Sequence, residues 1–159
     1  DSFIVIDNAD ILINDIKNND RVYVFSAGND GNIDVSRKMT GKFANDVNIK
    51  SNFINVVNID DMNNVSITSN IAKGPHENPV CAVGTNVNSV SANSLSDYTD
   101  MSGTSMAAPY VSGTLGLVQG ANPYLSGKQL VDVVLTTANK NFEHPKFAII
   151  IIRTFPIID

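Results

Sequence analysis

Gly103-Thr104-Ser105-Met106-Ala107-Ala108-Pro109 sets a serine between a glycine-threonine turn and a helix-forming Met-Ala-Ala stretch. That position puts a hydroxyl in the first turn of a helix, where unpaired backbone N–H groups and the positive end of the dipole stabilise developing negative charge. Upstream, the apolar run Val22-Tyr23-Val24-Phe25 leads into Ser26-Ala27-Gly28-Asn29-Asp30-Gly31, which sets a carboxamide just beyond a strand. Acyl transfer needs a nucleophile, a base, a group that orients the base, and donors for a tetrahedral oxyanion. Ser105 fits the nucleophile and its own N–H one donor. Asn29 fits a second donor, because a carboxamide NH₂ is a fixed neutral dipole. Each residue has a plainer use: a serine at a helix start commonly caps it, and Asn-Asp-Gly commonly forms a turn.

Around these motifs lies an ordinary globular composition. The chain has 159 residues, 43% of them apolar and 17% charged, enough for one domain burying roughly 70% of its unfolded surface. A net charge of −5 and the lack of a basic cluster argue against nucleic acid as a partner. Cys81 is the only cysteine, which excludes an internal disulfide and cysteine-rich zinc sites; in Pro79-Val80-Cys81-Ala82-Val83 it reads as a buried structural thiol. The apolar run from Phe147 to Ile152 is strand-sized, far short of the roughly 20 residues of a membrane span. The first eight residues lack the basic start and small-residue cleavage site of a signal peptide, so if the parent protein is exported its signal is expected upstream of this chain.

Leu12, Ile13 and Ile16, with Ala9, share one face of a helix expected over 9–18, capped by Asn8. Strands are expected at 22–25, 53–59, 65–68 and 80–83. Residues 27–52 form a long polar region, and Lys73-Gly74-Pro75-His76-Glu77-Asn78-Pro79 reads as a loop. A helix over 106–119 carries Gly113 and Gly116, each costing about 1 kcal/mol against alanine. That cost predicts a helix pressed closely against other backbone. Ser126-Gly127-Lys128-Gln129 is a capping box opening a last helix to about Ala138, with Leu125 and Leu130 as its hydrophobic staple. Helix, short turn and apolar strand follow the rhythm of a parallel α/β sheet.

Taken together, the Gly-Thr-Ser-Met-Ala-Ala-Pro string and the strand-Ser-Ala-Gly-Asn segment resemble the subtilisin-like serine proteases. Phe53-Ile54-Asn55-Val56-Val57-Asn58-Ile59-Asp60 is similar to the family strand after the asparagine loop. Ser69-Asn70 and Val80-Cys81-Ala82-Val83-Gly84-Thr85-Asn86-Val87 are similar to its serine-asparagine and alanine-proline-glycine segments, with Val83 in place of the usual proline. Tyr110 stands where many relatives have a histidine outside the triad. The cysteine and spacing are most similar to protease passengers of bacterial autotransporters.

The likeness covers about residues 9–138. It implies an α/β fold, the C-terminal portion of a three-layer parallel sheet of the subtilisin type, over 1–138, followed by an unmatched tail at 139–159. It implies a secreted or cell-surface serine endopeptidase acting on polypeptides, with Ser105 as nucleophile, Asn29 in the oxyanion hole, and Ala27, Gly28 and Thr104 at the substrate. No cofactor or metal is called for.

The family's aspartate and histidine motifs have no convincing counterpart here. His76 and His144 follow Asn29 rather than precede it, and Asp7 and Asp15 read as helix caps and solvated charges. The expected partner is therefore an N-terminal part of the same peptidase domain, and the chain alone is expected to be inactive. The competing class is a non-catalytic binding or assembly module on the same fold, for which Ser105→Ala would be neutral.

Overall fold

The structure, a computed structural model, describes residues 9–31, 33–35, 52–72, 78–93 and 96–138, with the backbone of 143–144 and 147–148. Helix α1 (Ala9–Asn18) forms over the expected stretch, and its Ile16 is fully buried against Phe53 with Leu12, Ile13, Tyr23 and Phe25 around them. The proposed cap Asn8 lies outside the described residues, as do Asp7 and His76. Strands β1 (Tyr23–Ser26), β2 (Phe53–Ile59) and β3 (Pro79–Val83) pair parallel in the order β1-β2-β3, with Phe25 opposite Asn55 and Val57 opposite Cys81.

Alternation along these strands builds the layers, since successive side chains leave a strand on opposite faces. Ile54 and Val56 of β2, with Val80 and Ala82 of β3, pack under helices α2 (Thr104–Ala121) and α3 (Gly127–Thr137). Val57, Ile59 and Cys81 face the other way, into a cluster with Ala27, Val35 and Ala72. Phe53, Tyr23 and Phe25 turn to the same side and meet α1, the Phe25 and Phe53 rings edge to face at 6.3 Å. The result is helix, sheet, helix. Every residue of β2 is buried, as a central parallel strand covered on both faces requires. Each buried aliphatic side chain of its size contributes about 1.5–3 kcal/mol. Cys81 is buried, and loss of solvent pushes its thiol up to about 12, so it is an inert core residue.

Three expectations change. Residues 65–68 form no strand; only an isolated bridge joins Val65 to Ile59. Asp60 captures the Asn64 N–H (2.7 Å) and side-chain amide (2.9 Å), and Asn63 is left-handed at φ 70°, so a turn takes the place of a ladder. An antiparallel ribbon not foreseen in the sequence, β4 (Val87–Val90) with β5 (Tyr98–Met101), projects before the α2 start. It is largely exposed and mixes polar with apolar residues, so it lacks the apolar run of a core strand.

The third concerns Gly113 and Gly116, which are not pressed against backbone among the described residues: a Cβ at either would meet none of them within 4 Å. Nothing among the described residues explains them. The close approach falls instead at Gly84, where a Cβ would lie 2.5 Å from the Gly103 carbonyl and 2.9 Å from the Ala107 methyl. Glycine there lets the end of β3 lie directly beneath the start of α2.

After α3, two short strands, β6 (Glu143–His144) and β7 (Phe147–Ala148), pair antiparallel. The α3 start carries the expected capping box: the Ser126 Oγ accepts from the Gln129 N–H and Gln129 Oε1 accepts from the Ser126 N–H. A further cap arrives from a distance, because the Asp20 carboxylate accepts the Gly127 N–H at 2.6 Å. An anion at a helix N-terminus is favourable for both the orphan N–H and the dipole. Asp20→Ala is expected to destabilise the fold by about 1 kcal/mol, and Asp20→Asn, which keeps an acceptor, by less. Urea denaturation midpoints of the three proteins check this; equal midpoints would remove the cap.

Candidate active site

The carboxyl ends of the three parallel strands and the start of α2 converge, and the residues singled out in the sequence stand there. Beyond β1 the Ala27 N–H still bonds to the Val56 carbonyl (3.0 Å), after which Gly28 turns the chain at φ 100° and presents Asn29. Beyond β3 the Gly84 N–H bonds to the Ile59 carbonyl (3.1 Å), and the Gly84 carbonyl accepts the Gly103 N–H at 2.8 Å. The serine turn is thus fastened to the sheet through its glycine.

Gly103 is the N-cap of α2 and makes no side-chain cap bond, so Thr104 and Ser105 occupy the first two helical positions. Ser105 is therefore not the cap. Its side chain is exposed, and its N–H belongs to the first turn, where no intrahelical acceptor exists. Among the described residues, none bonds to its hydroxyl.

Asn29 reaches this turn across 75 positions of sequence. Its Oδ1 accepts the Thr104 N–H at 3.0 Å and the Thr104 hydroxyl at 3.2 Å. A backbone N–H can only donate, so this bond fixes which end of the carboxamide is oxygen and leaves the NH₂ as the other end. A Cβ on Gly103 would stand 3.2 Å from that nitrogen, so the turn and the amide lie against one another. Thr104 is fully buried; its hydroxyl also accepts the Gly28 N–H at 3.1 Å. It acts as a strut between the two loops, and its side chain is not presented to solvent.

Ala27 is buried and Gly28 half-buried, with the N–H of each engaged inside the protein. Gly28 keeps part of its surface open, whereas Ala27 packs into the core cluster with Val57 and Ile59 and backs it from beneath. Asn70 was legible only as part of a resemblance, yet it lies at the centre of the asparagine loop. Its Nδ2 donates to the Ala27 carbonyl (3.0 Å) and to Asp30 Oδ2 (2.7 Å), and its Oδ1 accepts the Asp30 N–H (3.1 Å). Its own N–H donates to the Gly28 carbonyl at 2.8 Å. The spans of about forty positions between these partners leave no local trace in the sequence.

Asn58 is the other buried amide near the serine turn. It lies beneath Gly84, accepts from the Thr85 hydroxyl at 3.2 Å, and its Nδ2 has no partner among the described residues. Such a lone buried donor costs about 1–3 kcal/mol. The described residues hold no group of three or more His, Cys, Asp or Glu side chains suited to a metal ion, and no described helix is long and apolar enough to cross a membrane.

Residues 5–149 match the sequence profile of Peptidase S8, the Subtilase family. The chain belongs to that family. It is 28% identical over 138 residues to an extracellular serine protease of Serratia marcescens, an alignment covering 74% of this chain and 13% of that protein. It is 41% identical over 83 residues to the halolysin-like extracellular serine protease Nep of Natrialba magadii, covering 52% and 14%. Among solved structures, a cold-adapted subtilisin-like serine proteinase superposes with a TM-score of 0.59 at 26% identity, over 73% of this chain and 38% of that one. The parallel sheet with its flanking helices is therefore an incomplete α/β fold of the subtilisin type. The chain spans less than a sixth of the length of these two extracellular relatives.

Proposed function

We propose that the chain is the C-terminal portion of a serine endopeptidase domain that acts on polypeptides outside the cell through an acyl-enzyme. Ser105 attacks the scissile carbonyl. The Ser105 N–H and the Asn29 NH₂ donate to the oxyanion, and Gly28, backed by the buried Ala27, forms wall on the acyl side of the scissile bond. Thr104 serves this site from beneath, by holding Asn29. The base and its orienting carboxylate come from an N-terminal part of the same domain.

The observation that carries this proposal is the Asn29 carboxamide held by its oxygen against the residue preceding Ser105. Turn formers and caps have no reason to meet at that distance in sequence. Held this way, the amide presents an NH₂ that needs no reorganisation when charge develops, and such donors act mainly in the transition state. The names of the two extracellular relatives support the setting.

The test compares peptide-ester hydrolysis by this chain alone with hydrolysis by the same chain joined to an N-terminal segment supplying the aspartate and histidine. The chain alone is expected to show negligible turnover and the joined domain robust turnover. Robust turnover by the chain alone, abolished by Ser105→Ala, would show that it carries its own base. An inactive joined domain that folds would favour the non-catalytic module.

A further inference from the structure

Resting on the proposed roles of Asn29 and Ser105, we propose that Asn70 is the positioning residue of the acyl site: it fixes the loop that aims the Asn29 donor. Asn70 is fully buried. Its carboxamide uses both ends on one four-residue stretch, giving protons to the Ala27 carbonyl and Asp30 carboxylate and accepting the Asp30 N–H. With its backbone bond to the Gly28 carbonyl, it holds Ala27, Gly28 and Asp30, the residues on both sides of Asn29.

The loop is shaped around this side chain. Gly28 is left-handed at φ 100°, and a Cβ there would lie 2.5 Å from Asn70 Nδ2. The amide occupies the room that a side chain at position 28 would need. Orientation is fixed as well: a carbonyl must face the NH₂ end, and an N–H must face the oxygen end. A carboxylate, a hydroxyl or a longer amide cannot satisfy all three partners in that space.

Asn29 itself is held at its far end by Thr104, and Thr104 is tied to Gly28. Asn70 therefore anchors the backbone side of a clamp whose other side is the serine turn. Removing it frees the loop but deletes no group that touches the substrate. The consequence falls on transition-state donation, where an error of about 1 Å costs up to 10²-fold.

The experiment is a double-mutant cycle in the joined, active peptidase, reading kcat and KM for a peptide substrate. Asn70→Ala is expected to lower kcat by about 10–10²-fold with KM nearly constant, and to have little further effect on kcat in an Asn29→Ala background. Asn70→Ser, a milder change that keeps one hydrogen-bonding hydroxyl, should show the same signature at smaller amplitude if the alanine variant folds poorly. Hydrogen exchange at the Asp30 amide should quicken in both.

Equal loss of kcat in the two backgrounds would make Asn70 a general structural residue and overturn the proposal while leaving the role of Asn29 intact. Unchanged kcat in a folded Asn70→Ala protein would overturn it too. If Asn29→Ala alone leaves kcat at the wild-type value, the oxyanion assignment itself fails, and positioning by Asn70 falls with it.

Discussion

Ser105→Ala in the joined peptidase is expected to lower kcat by about 10⁶-fold, the scale on which subtilisin responds to loss of its nucleophile or base. The size follows from the division of labour proposed for the site. The serine supplies the covalent step, and what survives its loss is binding and oxyanion donation, worth about 10³–10⁴ over water. KM should hardly move. Stability should hardly move either, because Ser105 is exposed, caps nothing, and its helix is held by Gly103 and Thr104. Steady-state kinetics together with a urea melt check both halves. A folded Ser105→Ala protein with wild-type turnover would place the chemistry elsewhere.

Asn29→Ala is expected to lower kcat by about 10²–10³ with little change in KM, the size attached to losing one such donor in subtilisin. Here the structure adds a cost that composition and motif do not suggest. Asn29 Oδ1 is also the acceptor for the Thr104 N–H and hydroxyl, so alanine strips the first turn of α2 of its partner and costs about 1 kcal/mol of stability.

Asn29→Asp separates the two functions. A carboxylate keeps an acceptor for Thr104 at a helix N-terminus, where negative charge is favoured, but has no NH₂ to offer and repels an oxyanion. It should therefore lose at least as much kcat as alanine while keeping more of the stability. Measuring both variants by kinetics and denaturation decides this; an active Asn29→Asp protein would remove the donor role.

The sheet was legible because its code is local. The run at 53–59 became β2 residue for residue, and the face of α1 and the capping box of α3 were readable within one or two turns. The apolar residues of 65–68 suggest a strand, but the Asp60 side chain holds the Asn64 N–H and amide in a turn just before them, which apolar content does not reveal. Glycines 113 and 116 carry a helix-propensity cost whose cause no local pattern names.

At the site, motif spacing pointed to Asn29 and Ser105, but nothing local distinguishes Thr104 as a buried strut or Asn70 as an anchor. Both roles depend on contacts made only when strand ends some forty to seventy-five residues apart come together. The backbone bond between Gly84 and Gly103 spans a shorter separation but is likewise made only in the folded chain.

The most direct test of the acyl site is mass-spectrometric mapping of a fluorophosphonate adduct, in which an activated serine oxygen displaces fluoride from phosphorus. In the joined peptidase a single adduct is expected on the peptide carrying Ser105, formed more slowly in Asn29→Ala and absent from the isolated chain. An active enzyme that carries its adduct on another serine, or none on Ser105, would contradict the assignment.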